Sequence, residues 1–329
     1  MPPILRLNDV SRVYKTRSPD GWGWTSLRAA SHVDLDVLEG QTLAIVGESG
    51  SGKSTLAKLL LMLHAPTSGD VEFRGESLAK LGRKRHSEYR RQVQAVFQDP
   101  ASSLNPQMTV EQSLGYVVRR HGLVAASEQR AFLMRQLDAV GLTPADQYLA
   151  RYPHQLSGGQ QQRVAIARAM MLEPKVIVAD EPLSSLDVSI QAQVLQLMLD
   201  LRQRTNVGFV IISHDLAAMQ SIADATAVMY RGRIVEIGPD VYDRPAHPYT
   251  RLLLDARLAS NPRDGRIRAA ASAPRTAPAA SGRPEGGCSF RDRCPHAIDI
   301  CATTEPALRP VGDGTVRAAC HRAEEFIAA

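Results

Sequence analysis

The chain has 329 residues, 44% hydrophobic and 22% charged, with a net charge of +5. That length suits one large domain plus a smaller appendage, with enough apolar material for a core. No apolar run approaches the roughly 18 residues that a membrane span requires. The start, MPPILRLNDV, lacks the basic end and long apolar stretch of a signal peptide. The expectation is a cytosolic protein whose membrane work, if any, is done through other chains. The basic residues are scattered except for Arg83, Lys84, Arg85, Arg90 and Arg91, and no aromatic stripe interleaves them. This argues against a nucleic-acid partner and for a solvated or lipid-headgroup-facing surface.

Residues 4–14 and 29–37 read as antiparallel strands, 43–46 as a short apolar strand, and 55–63 as a helix. Between the last two lies GESGSGKST, residues 47–55, which matches G-x-x-x-x-G-K-[ST] in the strand-to-helix context that the motif needs. The run Gly47, Glu48, Ser49, Gly50, Ser51 and Gly52 can turn its backbone N–H groups inward as an anion nest. The helix that follows adds the positive end of its dipole. Lys53 can reach the β- and γ-phosphates, Ser54 can place its hydroxyl on Mg²⁺, and Thr55 can bond an α-phosphate oxygen. Alone, this loop means a nucleotide and no more: kinases, GTPases, helicases and transport ATPases share it.

Further along, 93–97 reads as a strand and 100–155 as a helical insertion. Next come a helix over 160–172, a buried strand over 176–179, a helix over 189–204 and a buried strand over 209–212. This alternation predicts an α/β domain with a largely parallel sheet. The strand 176–179 ends in Asp180 and Glu181, which brings two acids to the sheet edge where open α/β folds bind ligands. Asp180 is placed to hold Mg²⁺ through water, and Glu181 to polarise the attacking water. Residues 156–163, LSGGQQQR, put Ser157, Gly158 and Gly159 before a helix that starts near Gln160. A hydroxyl and backbone amides at a helix N-terminus make a second anion site.

With that signature beside a phosphate loop, the sequence closely resembles the ABC ATPases. The resemblance implies a RecA-like α/β core with an antiparallel β subdomain and a helical subdomain. It implies ATP sandwiched between one subunit's phosphate loop and the other's signature in a head-to-tail dimer. It also implies roles for Tyr14, stacked on adenine; for Gln98 in VFQDP, near Mg²⁺ and the nucleophile; and for His214 in ISHD, on the γ-phosphate. SSLD at 184–187 matches the loop after the acids, although its second position is more often Ala in relatives. A soluble ABC protein acting on nucleic acid or ribosomes is the alternative. Those usually carry coiled-coil insertions or two cassettes, and this chain has one cassette and no heptad run. A small-molecule kinase has no need of the signature.

Within the ABC family, FQDPASSLNPQMTV at 97–110, HPYT at 247–250 and the cysteine-bearing tail GCSFRDRCPHAIDIC…ACH resemble the ATPases of oligopeptide and dipeptide importers. YRRQVQAVFQ at 89–98 resembles the second of that group's two paired ATPases. The implied partners are another ATPase subunit, a paralogue or a second copy, and two membrane permeases, with an extracytoplasmic solute-binding protein acting indirectly. The implied location is the cytoplasmic face of the membrane.

The expected division is an ATPase domain over 1–258, a linker over 259–287 rich in Ala, Pro, Arg and Gly, and a module over 288–329. All four cysteines, Cys288, Cys294, Cys301 and Cys320, fall in that module. Their spacing matches no standard zinc pattern. Four thiolates suit a [4Fe–4S] cluster or tetrahedral Zn²⁺, and plain thiols are the third reading; the resemblance favours the cluster. Its place beyond a linker predicts that the module has no direct part in hydrolysis.

Overall fold

Buried and exposed residues alternate at the start of β1 (Leu5–Arg17) and over the second half of β2 (Trp24–Val37), as expected for strands with one buried face. By contrast β3 (Thr42–Val46) is buried throughout, the mark of a strand covered on both faces. It leads into α1 (Lys53–Leu60), β4 (Ser68–Phe73) and β5 (Glu76–Ser77). Then follow α2 (Arg83–Gln92), β6 (Val93–Val96), α3 (Pro100–Ser103), α4 (Val110–His121), α5 (Gln129–Ala139) and α6 (Ala145–Leu149). The core continues with α7 (Gly158–Met170), β7 (Val176–Asp180), α8 (Val188–Thr205), β8 (Gly208–Ser213), α9 (Leu216–Gln220), β9 (Ala225–Tyr230), β10 (Arg233–Gly238) and α10 (Pro248–Leu258). The tail holds α11 (Ile300–Thr303), β11 (Arg309–Val311), β12 (Val316–Ala318) and α12 (Ala323–Ile327).

This is a computed structural model, and it describes residues 2–18, 22–258 and 286–327. The expected linker therefore lies almost wholly outside the described residues. The chain falls into two units. Among the described residues no helix is long and apolar enough to cross a membrane.

The first unit comprises Met1–Ile4, Val37–Gln41 and Lys80–Ser213. In it β6, β7 and β8 pair in parallel, with Val96 opposite Ala179 and Asp180 opposite Ile212. The carboxyl ends of these strands thus share one edge. Between Pro100 and Leu149 the secondary structure is helical, and α4 opens with a capping box in which Thr109 accepts the Gln112 N–H. The basic cluster seen in the sequence lies partly in a cleft of about 750 Å³, where Arg83, His86, Arg90, Arg120 and Arg168 are among the lining residues.

The second unit comprises Leu5–Asp36, Thr42–Ala79 and His214–Ala329. One sheet is antiparallel where β1 pairs with β4 and β4 with β5. The other is mixed: β3 and β9 run parallel, β9 and β10 antiparallel, and the short strands β12 and β11 add to the β10 edge. The tail therefore extends a sheet of this unit, with Glu236 opposite Ala318. A small apolar cluster of Ala246, Val311, Val316, Ala318 and Ala323 fastens it there. A module of this size has too little core to stand alone, and the β10 edge supplies what it lacks.

Candidate nucleotide site

In the second unit, β3 runs directly into the loop 47–55. Gly52 precedes α1 at φ 107°, and a Cβ there would lie 2.1 Å from the Ala29 carbonyl oxygen, so only glycine fits. No side chain caps the start of α1 and no acid sits in its first turn, which suits an anion at that end. Lys53 is buried and its Nζ donates to the carbonyl oxygens of Gly47 at 2.8 Å and Glu48 at 3.0 Å. From the β9–β10 turn, the Gly232 N–H donates to the Ser51 carbonyl oxygen at 2.8 Å and props the loop from below. Ser49 and Gly50 are exposed at its crest, while Ser54 and Thr55 are half-buried on α1.

Tyr14, on β1, is half-buried; its hydroxyl bonds His64 Nδ1 at 2.6 Å and the Arg12 guanidinium lies 4.8 Å from its ring centroid. His214 is exposed just past β8, and the next residue, Asp215, accepts the Ala218 N–H at 3.1 Å.

In the first unit the parallel strands bring Gln98 and Glu181 together: Gln98 Nε2 donates to Glu181 Oε2 at 3.1 Å. Asp180 closes β7, half-buried. Glu181 sits at φ 46°, in the left-handed region, and its N–H donates to the Ile212 carbonyl oxygen at 2.9 Å. A side-chain-bearing residue held there is strained, and such strain gathers at working sites.

The signature forms the start of α7. Ser157 is its N-cap: Ser157 Oγ accepts the Gln160 N–H at 3.3 Å, and Gln160 Oε1 accepts the Ser157 N–H at 3.0 Å. The pair is thus a capping box, a detail missing from the simpler expectation of an open helix end. An accepting hydroxyl keeps its own proton to donate, so Ser157 can still serve an anion. Gly158 is exposed, while buried Gly159 has no room for a Cβ, which would meet Ile190 Cγ2 at 2.6 Å.

The tail differs from expectation in two ways. First, the metal-ligand set is not assembled. Cys288, Cys294, Cys301 and Cys320 are free thiols, and among the described residues no group of three or more His, Cys, Asp or Glu is placed to hold a metal ion. Local bonding shapes this region instead: the Cys288 N–H donates to the Cys301 carbonyl oxygen at 2.8 Å, and Cys320 Sγ accepts the Arg322 N–H at 3.4 Å. The thiols do feel one another. Burial, and then the charge of the other cysteines, pushes Cys320 up to about 11 and raises Cys288 and Cys294.

Second, the tail is not remote from the phosphate loop. Arg293 reaches Glu48 with both terminal guanidinium nitrogens at 2.8 Å. The Glu48 N–H donates to Tyr249 Oη at 2.9 Å. Neither contact was foreseen from the sequence. HPYT marks a helix start, and nothing local to Arg293 points 245 residues back.

Among known protein families, residues 30–184 match the ABC transporter model, and residues 235–301 match the C-terminal region of oligopeptide/dipeptide transporters. The chain is 42% identical to the di/tripeptide transport ATP-binding protein DppF of Pseudomonas aeruginosa, over 99% of this chain and 100% of that one. The chain belongs to the ATP-binding proteins of the oligopeptide/dipeptide ABC transporters. Escherichia coli K12 has a relative, the dipeptide transport ATP-binding protein DppF, 40% identical over 94% of this chain and 92% of its own. Two solved structures bear out the fold. The ATP-binding cassette MJ0796, as a post-hydrolysis dimer with ADP and Pi, matches with TM-score 0.61 and 29% identity over 70% of this chain and 96% of its own. The cbiO1 protein of Clostridium perfringens, part of the transporter complex cbiONQ, matches with TM-score 0.64 and 25% identity over 79% and 96%. This transporter ATPase is thus an ATP-binding α/β cassette with an antiparallel β subdomain and a mixed main sheet.

Proposed function

We propose that this ATPase energises the import of di- and tripeptides or longer peptides. The observation that carries the reading is the match of residues 235–301 to the oligopeptide/dipeptide C-terminal region, because that segment also braces the phosphate loop. In this reading Tyr14 stacks on adenine, and Gly47 to Gly52 with Lys53 and Thr55 receive the phosphates. Ser54, Gln98 and Asp180 would hold Mg²⁺, which when bound would supply positive charge against the phosphates. Glu181 takes a proton from the attacking water, oriented by Gln98, and His214 contacts the γ-phosphate. Ser157, Gly158, Gly159 and Gln160 serve ATP held by a second ATPase subunit, a paralogue or another copy, in a head-to-tail dimer. Two permeases complete the complex at the cytoplasmic face of the membrane, and a solute-binding protein delivers the peptide from outside.

The division into 1–258, 259–287 and 288–329 belongs to the same proposal. So does a [4Fe–4S] cluster, or Zn²⁺, held by Cys288, Cys294, Cys301 and Cys320; burial, and after it the neighbouring cysteines, raise Cys288, Cys294 and Cys320, which a cationic centre would relieve.

The test is uptake of a labelled dipeptide and a labelled tripeptide by vesicles carrying the complete transporter with the solute-binding protein. Uptake is expected with the wild-type chain and lost with Lys53→Ala. Equal uptake by both would remove this chain as the energy source. Co-purification and mass spectrometry identify the permeases and the partner ATPase.

A further inference from the structure

Glu48, the second residue of the phosphate loop, is held at every polar group it has. Its N–H donates to Tyr249 Oη at 2.9 Å. Its carbonyl oxygen accepts from Lys53 Nζ at 3.0 Å and from the Ser51 N–H at 3.1 Å. Its carboxylate accepts from both terminal nitrogens of Arg293. Two of these braces come from the C-terminal part of the chain, and Arg293 belongs to the cysteine module.

Arg293 is itself well fixed. It ends the turn Arg291–Arg293, where its N–H donates to the Phe290 carbonyl oxygen at 3.0 Å. Its guanidinium lies 5.7 Å from the Tyr230 ring centroid and 5.8 Å from that of Phe290. Phe290 is buried against Tyr230 at 5.2 Å and Tyr249 at 5.4 Å, so the aromatic cage that holds Arg293 also holds the other brace on Glu48. A planar fork that grips both carboxylate oxygens is a geometry lysine does not reproduce.

A carboxylate in a loop built for phosphate opposes the ligand by like charge, and an arginine on that carboxylate offsets the repulsion. The Glu48 and Arg293 side chains remain 41% and 32% exposed, so the pair adds little to folding stability. Its effect falls on where the loop's N–H groups point, and misplacement by an ångström matters for a bound, reacting group.

We infer that Arg293 is a positioning residue of the nucleotide site: by clamping Glu48 it holds the phosphate loop in its ligand-ready form, and the cysteine module is thereby part of that site. This rests on the reading that residues 47–55 hold the phosphates.

The experiment is titration calorimetry of ATP with the full-length chain in six forms: wild type, Arg293→Gln, Arg293→Lys, Glu48→Gln, the double variant Arg293→Gln/Glu48→Gln, and Lys53→Ala. Arg293→Gln is expected to weaken ATP binding about three- to ten-fold while the thermal midpoint barely moves. Arg293→Lys should recover part of the loss, because it keeps the charge without the fork. The double variant should bind like Glu48→Gln alone, because Arg293 acts only through Glu48. Unchanged affinity in Arg293→Gln overturns the inference, and so do effects that add fully in the double variant. Should Arg293→Gln not fold, the same cycle is run with Arg293→Lys. Lys53→Ala separates the two readings. Wild-type affinity in Lys53→Ala defeats the phosphate-loop assignment itself. Lost affinity there with retained affinity in Arg293→Gln defeats only the role of Arg293.

Discussion

Gln98 Nε2 donates to Glu181 Oε2 at 3.1 Å across 83 residues of chain. The contact exists because β6 and β7 are neighbouring parallel strands whose carboxyl ends coincide. An amide donor on one oxygen orients the carboxylate and leaves the other oxygen to take a proton. Glu181→Gln keeps the shape and removes the base. Nucleotide binding should persist while turnover in the assembled transporter falls about 100-fold or more. Wild-type turnover in that variant would take the base role away from Glu181.

The capping box at Ser157 predicts a different dependence. The signature shapes its own helix end and, in the dimer reading, serves ATP held by another chain. The specific activity of the isolated ATPase should therefore rise with protein concentration. Ser157→Ala should reduce turnover more than nucleotide affinity, since the affinity of one chain for ATP does not need the signature. Specific activity that stays constant down to dilute protein would mark a self-sufficient site.

The phosphate loop, the strand ending in Asp180 and Glu181, and the signature were legible because each is a continuous run whose chemistry is local. Strand β7 was expected over 176–179 and forms over Val176–Asp180; helix α7 was expected over 160–172 and begins earlier, at Gly158, because Ser157 caps it. β9 and β10 had a local signal in two apolar runs around Arg231 and Gly232. β11 and β12 had almost none: they are three residues each, and their pairing depends on the β10 edge. The clamp of Arg293 on Glu48 was illegible for a stronger reason. Sequence pattern reports periodicity and spacing, and an ion pair between distant loops leaves neither.

Two buried titratable groups before α10 predict how stability responds to pH. Burial raises Glu236 to about 7, even though its carboxylate accepts the N–H groups of Ala246 at 2.6 Å and His247 at 3.1 Å. Burial lowers His247 to about 3, and its Nδ1 accepts the Tyr249 N–H. For the raised acid, the folded state holds the proton longer, so its contribution is full below the unfolded value of about 4.5 and is lost as pH rises to about 7. For the lowered base the contribution is full above about 6.5 and is lost as pH falls toward 3. The two slopes oppose each other where the windows overlap. Glu236→Gln removes one of them, so denaturant midpoints of that variant should rise steadily with pH through the overlap while the wild type stays nearly flat. The change over the acid's window is on the order of 3 kcal/mol. Parallel pH profiles for the two proteins would show that Glu236 does not titrate in this window.

The cysteines make the last prediction. If they carry a [4Fe–4S] centre, the chain purified without oxygen should be brown and contain about four iron and four sulfide per chain. Stoichiometric zinc without iron would replace the cluster by a zinc staple, and no metal with four titrating thiols would leave neither. From sequence position alone, replacing one of these cysteines should leave nucleotide binding intact. The placement of Cys294 predicts otherwise if it ligates a metal: Cys294 directly follows Arg293 and closes the turn that carries the clamp, its N–H on the Arg291 carbonyl oxygen at 3.2 Å, so a metal held by its thiol would tether that turn and its loss would loosen it. Cys294→Ser should therefore weaken ATP binding as well as any metal binding, and Cys320→Ser, on the far side of β12, should affect ATP less. ATP affinity that is unchanged in Cys294→Ser, with the metal lost, would show that the turn at Arg291–Arg293 keeps its shape without help from the cysteines.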